Sequence, residues 1–99
     1  MNIIDGLNKA FDSRVRLGIM SMLMVQERVD FASIKKTLDL TDGNLSTHIL
    51  ALEREKYIAV KKQFIDKKPN TSYTVTKAGE NAFKSHLTAL EEIIKKSLE

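Results

Sequence analysis

The sequence predicts a mainly α domain with one small β-hairpin, an α+β chain. Three observations lead there. Apolar residues recur at helical spacing before residue 56 and again after residue 76. Between them the period drops to two, with Ile58, Val60 and Phe64 alternating with Ala59, Lys61 and Gln63. A cluster of turn-forming residues, Asp66-Lys67-Lys68-Pro69-Asn70, interrupts that alternating stretch.

Taken in order, Ile3, Ile4, Leu7 and Phe11 suggest a short helical arm. A helix follows from Asp12 to about Val25, capped by Asp12 or Ser13, whose side-chain oxygen accepts from an otherwise orphaned N–H. Val15, Ile19, Met22 and Leu23 form one apolar face, while Leu17, Met20 and Met24 form a second. A helix apolar on two sides needs cover on two sides, from another helix or another subunit. Val29-Asp30-Phe31 is a brief extended piece, and Asp30 caps a helix running to about Leu38. Asp39-Leu40 makes a tight connection, since aspartate tolerates a left-handed backbone. Thr41 caps the next helix, which runs to about Glu55 with Leu45, Ile49 and Leu52 inward. Two helices joined so closely form a helix-turn-helix. Ser72-Tyr73-Thr74-Val75 is the returning strand of the hairpin. Thr76 then caps a long helix ending near Ser97, where Phe83, Leu87, Leu90 and Ile94 make a narrow seam of the coiled-coil kind.

A chain of 99 residues has room for one domain. Such a chain buries only about 60–65% of its unfolded surface, so a second copy is a plausible source of added burial. The absence of cysteine excludes disulfides, thiolate metal sites and cysteine nucleophiles. No apolar run is long enough to span a bilayer, and the N-terminus lacks the pattern of a signal peptide, so a cytoplasmic protein is expected. The net charge of +3 is unevenly spread. From Arg54 to Lys77, seven basic residues face only Glu55 and Asp66, a net +5 that leaves −2 for the rest. A basic segment on a slightly acidic body is the pattern of a surface that meets a polyanion, although a solvated lysine-rich hairpin has the same composition.

The order helix, helix-turn-helix, hairpin, helix resembles the winged-helix transcriptional regulators of the MarR and ArsR kind, above all their compact stand-alone winged-helix domains. The resemblance is carried by Phe31-Ala32-Ser33-Ile34, Leu40-Thr41-Asp42-Gly43-Asn44-Leu45-Ser46-Thr47-His48, Leu52-Glu53 with Tyr57-Ile58, and Tyr73-Thr74-Val75-Thr76-Lys77-Ala78-Gly79. It implies one domain over residues 1–99: a helix-turn-helix at about 30–55, a wing at about 57–75 and a dimerisation helix at about 77–97. Two departures stand out. Lys56 replaces the usual glycine before the first wing strand, which puts the left-handed turn there in question. The wing tip carries lysines where relatives often carry arginines, which favours backbone over minor-groove contacts.

An α-helix fits the major groove of B-DNA and reads base edges there. With Leu45, Ile49 and Leu52 buried, the opposite face presents Gly43, Thr47 and Arg54, flanked by Asn44, Ser46 and Ala51. Of these, Gly43, Asn44, Ser46, Thr47 and Arg54, with Thr41 at the cap, are the candidate base-edge or phosphate contacts; the alternative is ordinary polar surface. Asp42 repels phosphate, so it serves the helix dipole or accepts from a cytosine amino group. Leu50 is apolar on this face and reads as packing. Lys61, Lys62, Lys67 and Lys68 are the candidate phosphate contacts, with Asn70 and Thr71 from the returning side of the hairpin. Lys61 and Lys62 cannot both point at DNA in a regular strand. His48 and His86 are too sparse for a metal site, and no catalytic constellation or cofactor motif is present. The expected protein is a non-enzymatic homodimeric regulator of double-stranded DNA, joined through Leu7, Phe11, Phe83, Leu87, Leu90 and Ile94. It needs no metal or cofactor, and the sequence names no small-molecule effector. The competing expectation is a winged-helix module for protein–protein contact.

Overall fold

The computed structural model describes residues 2–99. After a 3-10 turn at Lys9–Phe11 come α1 (Arg14–Val25), β1 (Val29–Asp30), α2 (Phe31–Leu38), α3 (Asp42–Arg54), β2 (Ile58–Ile65), β3 (Lys68–Val75) and α4 (Lys77–Ser97). The strands form one antiparallel sheet in the order β1-β3-β2.

All four helices start the same way. The side chains of Ser13, Asp30, Thr41 and Thr76 accept from the backbone N–H three residues on, at 3.3, 2.7, 3.1 and 2.9 Å. Each such cap contributes about 1 kcal/mol. Two helices also end alike. Leu40 N–H donates to Lys35 O and Asp39 N–H to Lys36 O; Tyr57 N–H donates to Leu52 O and Lys56 N–H to Glu53 O. This paired pattern closes a helix around one left-handed residue, here Asp39 (φ 53°) and Lys56 (φ 62°). The turn after α3 therefore keeps its left-handed form without the glycine.

Phe11, Ile19, Met20, Leu23, Ile34, Leu45 and Leu52 are the innermost side chains. Both apolar faces of α1 are covered by this chain alone, because α2, α3, β3 and the 3-10 turn surround the helix. No second subunit is needed there. At the far end of the core, Phe11 meets Phe83 edge-on at 5.3 Å and packs against Tyr57 and His86 at 5.4 and 5.2 Å.

Three expectations need correction. The N-terminal arm is not helical; residues 3–7 form turns before the 3-10 segment. The hairpin alternation does not bury a full stripe: Ile58 is buried, but Val60 is 41% and Phe64 76% exposed, because the strands run beyond the body. The strands also extend nearer the tip than expected, leaving only Asp66 and Lys67 as the turn. The molecule measures 56 × 26 × 21 Å with a radius of gyration of 15.0 Å, against about 13 Å for a globular chain of this length. A hairpin and a 21-residue helix that outrun the core account for the excess.

Candidate nucleic-acid interface

α3 is the second helix of the helix-turn-helix. It lies with Leu45, Ile49 and Leu52 in the core and Thr41, Gly43, Asn44, Ser46, Thr47 and Arg54 exposed. Two of the exposed hydroxyls are partly committed. Thr41 Oγ1 accepts from Asn44 N–H, and Thr47 Oγ1 donates to Gly43 O at 2.9 Å, so each offers its remaining capacity outward. Lys35 Nζ, from the end of α2, lies 2.8 Å from Asp42 Oδ1. The pair bridges the turn and offsets the carboxylate that would otherwise repel phosphate. Both groups are well exposed, so its contribution to stability is at most about 1 kcal/mol. Asp42 in the first turn and Arg54 in the last also suit the helix dipole.

The hairpin faces divide the candidate contacts. Strand register pairs Lys62 with Thr71 and Val60 with Tyr73. This face continues from the core and lines a cleft with Phe31, Ser46, Ile49, Leu50 and Glu53. Lys62, Thr71 and Ser46 therefore stand on one cleft. Leu50 is 52% exposed in it, so it is not packing as the sequence suggested. Lys61, Lys68 and Asn70 belong to the opposite face. There Asn70 lies beside Asp30, whose carboxyl is held below its ordinary value chiefly by the Ser33 N–H. Arg28 donates to Ser72 Oγ on the same face at 3.1 Å. Lys67 sits in the turn itself.

Sequence reasoning missed Arg14. At the start of α1 it lines a hollow with Leu38, Asp39, Leu40 and Asn44, adding a cation beside the leading end of α3. Only the packing of α1 against α3 brings it there. His48 is half-buried, and burial, helped by the Arg16 charge, lowers its pKa. His86 is buried; its Nδ1 accepts from Asn8 N–H at 3.0 Å. Burial lowers its pKa too, against a smaller opposing pull from Asp12. No cluster of potential metal ligands occurs among the described residues, and none of their helices is long and apolar enough to cross a membrane.

The candidate dimer residues separate into two sets. Phe11 and Phe83, 1% and 3% exposed, are filled by the chain's own core and offer nothing to a partner. This corrects their expected place in an interface. Leu87 and Ile94 are 45% and 58% exposed, and Leu7 and Leu90 are half-buried, so an apolar strip remains uncovered along outer α4.

A helix-turn-helix followed by a basic two-stranded wing defines the winged-helix class. The chain belongs to the winged helix DNA-binding domain family, whose sequence model matches residues 15–94. It is 34% identical over 87 residues to an uncharacterized protein of Methanocaldococcus jannaschii, covering 88% of this chain and 95% of that one. A transcriptional regulator homologue from Pyrococcus horikoshii superposes with a TM-score of 0.82 at 36% identity, covering 95% of this chain and 91% of that one. A putative MarR-family regulator from Porphyromonas gingivalis shares the fold at 19% identity and a TM-score of 0.66, covering 92% of this chain and 84% of that one.

Proposed function

We propose that this chain is a cytoplasmic, non-enzymatic transcriptional regulator that binds specific double-stranded DNA sequences as a homodimer, with residues 1–99 acting as one DNA-binding domain. α3 enters the major groove, and the wing holds the backbone. The observation that carries the reading is the cleft shared by Ser46 of α3 and Lys62 and Thr71 of the wing, which sets base-reading and phosphate-binding groups side by side. Thr41, Gly43, Asn44, Thr47 and Arg54 extend the α3 surface, and Lys61, Lys67, Lys68 and Asn70 extend the wing. The uncovered strip of Leu7, Leu87, Leu90 and Ile94 supports pairing through α4. A two-fold dimer then places its α3 helices about 34 Å apart, on a pseudo-palindromic site.

The test is a fluorescence-anisotropy titration of a labelled duplex at several salt concentrations. Each phosphate contact adds about −0.9 to the log–log salt slope. A variant with Lys61, Lys62, Lys67 and Lys68 changed to Glu should lose both affinity and slope. Absence of binding even near 50 mM salt, where electrostatic contacts are strongest, overturns the DNA reading and favours a protein partner. Changing Leu87 and Leu90 to Glu should give monomers by light scattering; a persistent dimer places the interface elsewhere.

A further inference from the structure

The wing ends in large apolar side chains that the DNA reading does not use. Phe64 is 76% exposed and Ile65 49%, and neither packs on the core. Leaving a phenylalanine in water forgoes the burial that otherwise favours the folded chain. The setting is also firm. β2 and β3 stay paired up to Ile65 and Lys68, the last residues before the turn. The turn is only Asp66 and Lys67, both left-handed at φ 50° and 67°, the two-residue form whose twist matches the strands. Phe64 pairs with Pro69, so the tip carries an aromatic ring beside a second stiff apolar side chain. Exposed Lys62 stands two residues back on the same face and exposed Lys67 sits in the turn, while Lys68 belongs to the opposite face.

Direction matters as well. Strand alternation puts Phe64 on the face of Val60 and Lys62, which line the cleft with α3. Ile65 belongs to the opposite face. An apolar ring rimmed by cations, on the side that α3 shares, matches a surface that is apolar inside and anionic at its edges. The minor groove is such a surface, with stacked bases between two phosphate chains. It is about 6 Å wide, too narrow for the two-stranded ribbon but open to a single ring.

We infer that Phe64 is a minor-groove wedge: it enters between adjacent base pairs beside the segment read by α3 and bends the DNA, while Lys62 and Lys67 hold the flanking phosphates. The inference rests on the DNA-binding reading above. Apolar wedges of this kind unstack a step and bend the duplex by about 20–90°. Flexible pyrimidine–purine steps are the easiest to open, so the wedge adds sequence preference at positions where no hydrogen bond is made.

The test uses duplexes that the intact protein selects from a random pool, long enough for two half-sites about one helical turn apart. End labels report bending by energy transfer, and 2-aminopurine placed at successive positions reports unstacking. The intact protein should bring the ends closer and raise 2-aminopurine fluorescence several-fold at one flanking step in each half-site. Phe64→Ala, whose exposed ring supports no packing, should lose both signals and bind about five- to tenfold more weakly, about 1–1.4 kcal/mol, while keeping its salt slope. Ile65→Ala should bend DNA as the intact protein does. A bound duplex that stays straight and stacked, or one that Phe64→Ala bends equally, overturns the wedge alone. Recovery of no duplex from the pool overturns the DNA reading and the wedge with it.

Discussion

Gly43 occupies the first turn of α3, exposed on the face turned away from the core. Its φ is not positive, and a Cβ added there would meet nothing within 4 Å. Nothing in the fold requires a glycine at this position. Alanine is favoured over glycine in a helix by about 0.5–1 kcal/mol, through a smaller loss of backbone entropy. A first-turn site takes the lower part of that range. Gly43→Ala should therefore stabilise the protein by about 0.5 kcal/mol, raising Tm by about 2–4 °C for a chain of this size. DNA binding should move the other way. If α3 enters the major groove as proposed, the added methyl takes space at the leading end of the helix, on the surface that would face DNA. A penalty of about 1 kcal/mol weakens Kd about fivefold. Thermal melting by circular dichroism and anisotropy titration on the same preparations measure both effects. An unchanged or lowered Tm refutes the claim that the fold does not need this glycine. A raised Tm with unchanged Kd removes Gly43 from the interface.

Other substitutions probe the fold around that surface. Gly79 is the reverse case: a Cβ there would collide with the backbone carbonyl of Tyr57. Gly79→Ala should cost about 3 kcal/mol, seen as a lower urea midpoint; a midpoint near that of the unmodified chain would show that α4 can move away freely. Lys56 holds a left-handed conformation with its side chain exposed, so Lys56→Gly should add about 1 kcal/mol, with unchanged DNA affinity serving as the control. Stability should also fall at mildly acid pH. His86 and His48 both have pKa values lowered by burial, so the unfolded chain takes up protons near 6.5 that the folded chain refuses. Their contribution is fully present above pH 6.5 and declines as pH falls toward the lowered folded values. Urea midpoints at pH 7.5, 6 and 5 should decrease in that order, and a flat profile would refute the assignment.

Much of this was legible in the residues themselves. Ser13, Asp30, Thr41 and Thr76 cap helices because a short polar side chain in an extended residue reaches an N–H three positions on, a relation confined to a few neighbouring residues. The inward set Leu45, Ile49 and Leu52 followed from helical periodicity for the same reason. Strand alternation separated Lys61 from Lys62, but only the register with β3 and the position of α3 decided that Lys62 and Thr71 share a cleft with Ser46.

Periodicity says which residues share a face of an element. It does not say how far that element reaches beyond the core. Phe64 alternates like a buried strand residue and Phe83 falls on the same seam as Leu87, yet one is exposed and the other enclosed. The difference is set by where each element leaves the body: the hairpin runs past α3 into solvent, while the first turns of α4 lie against Phe11 and Tyr57. Likewise, Arg14 reaches the leading end of α3 only because α1 crosses it. The sequence alone determined the four helices, their caps and their apolar faces, because these depend on local geometry, but not the N-terminal turns or the full length of the hairpin strands. Tertiary structure decided which of those faces stayed open, because burial depends on residues distant in the chain that no local pattern encodes.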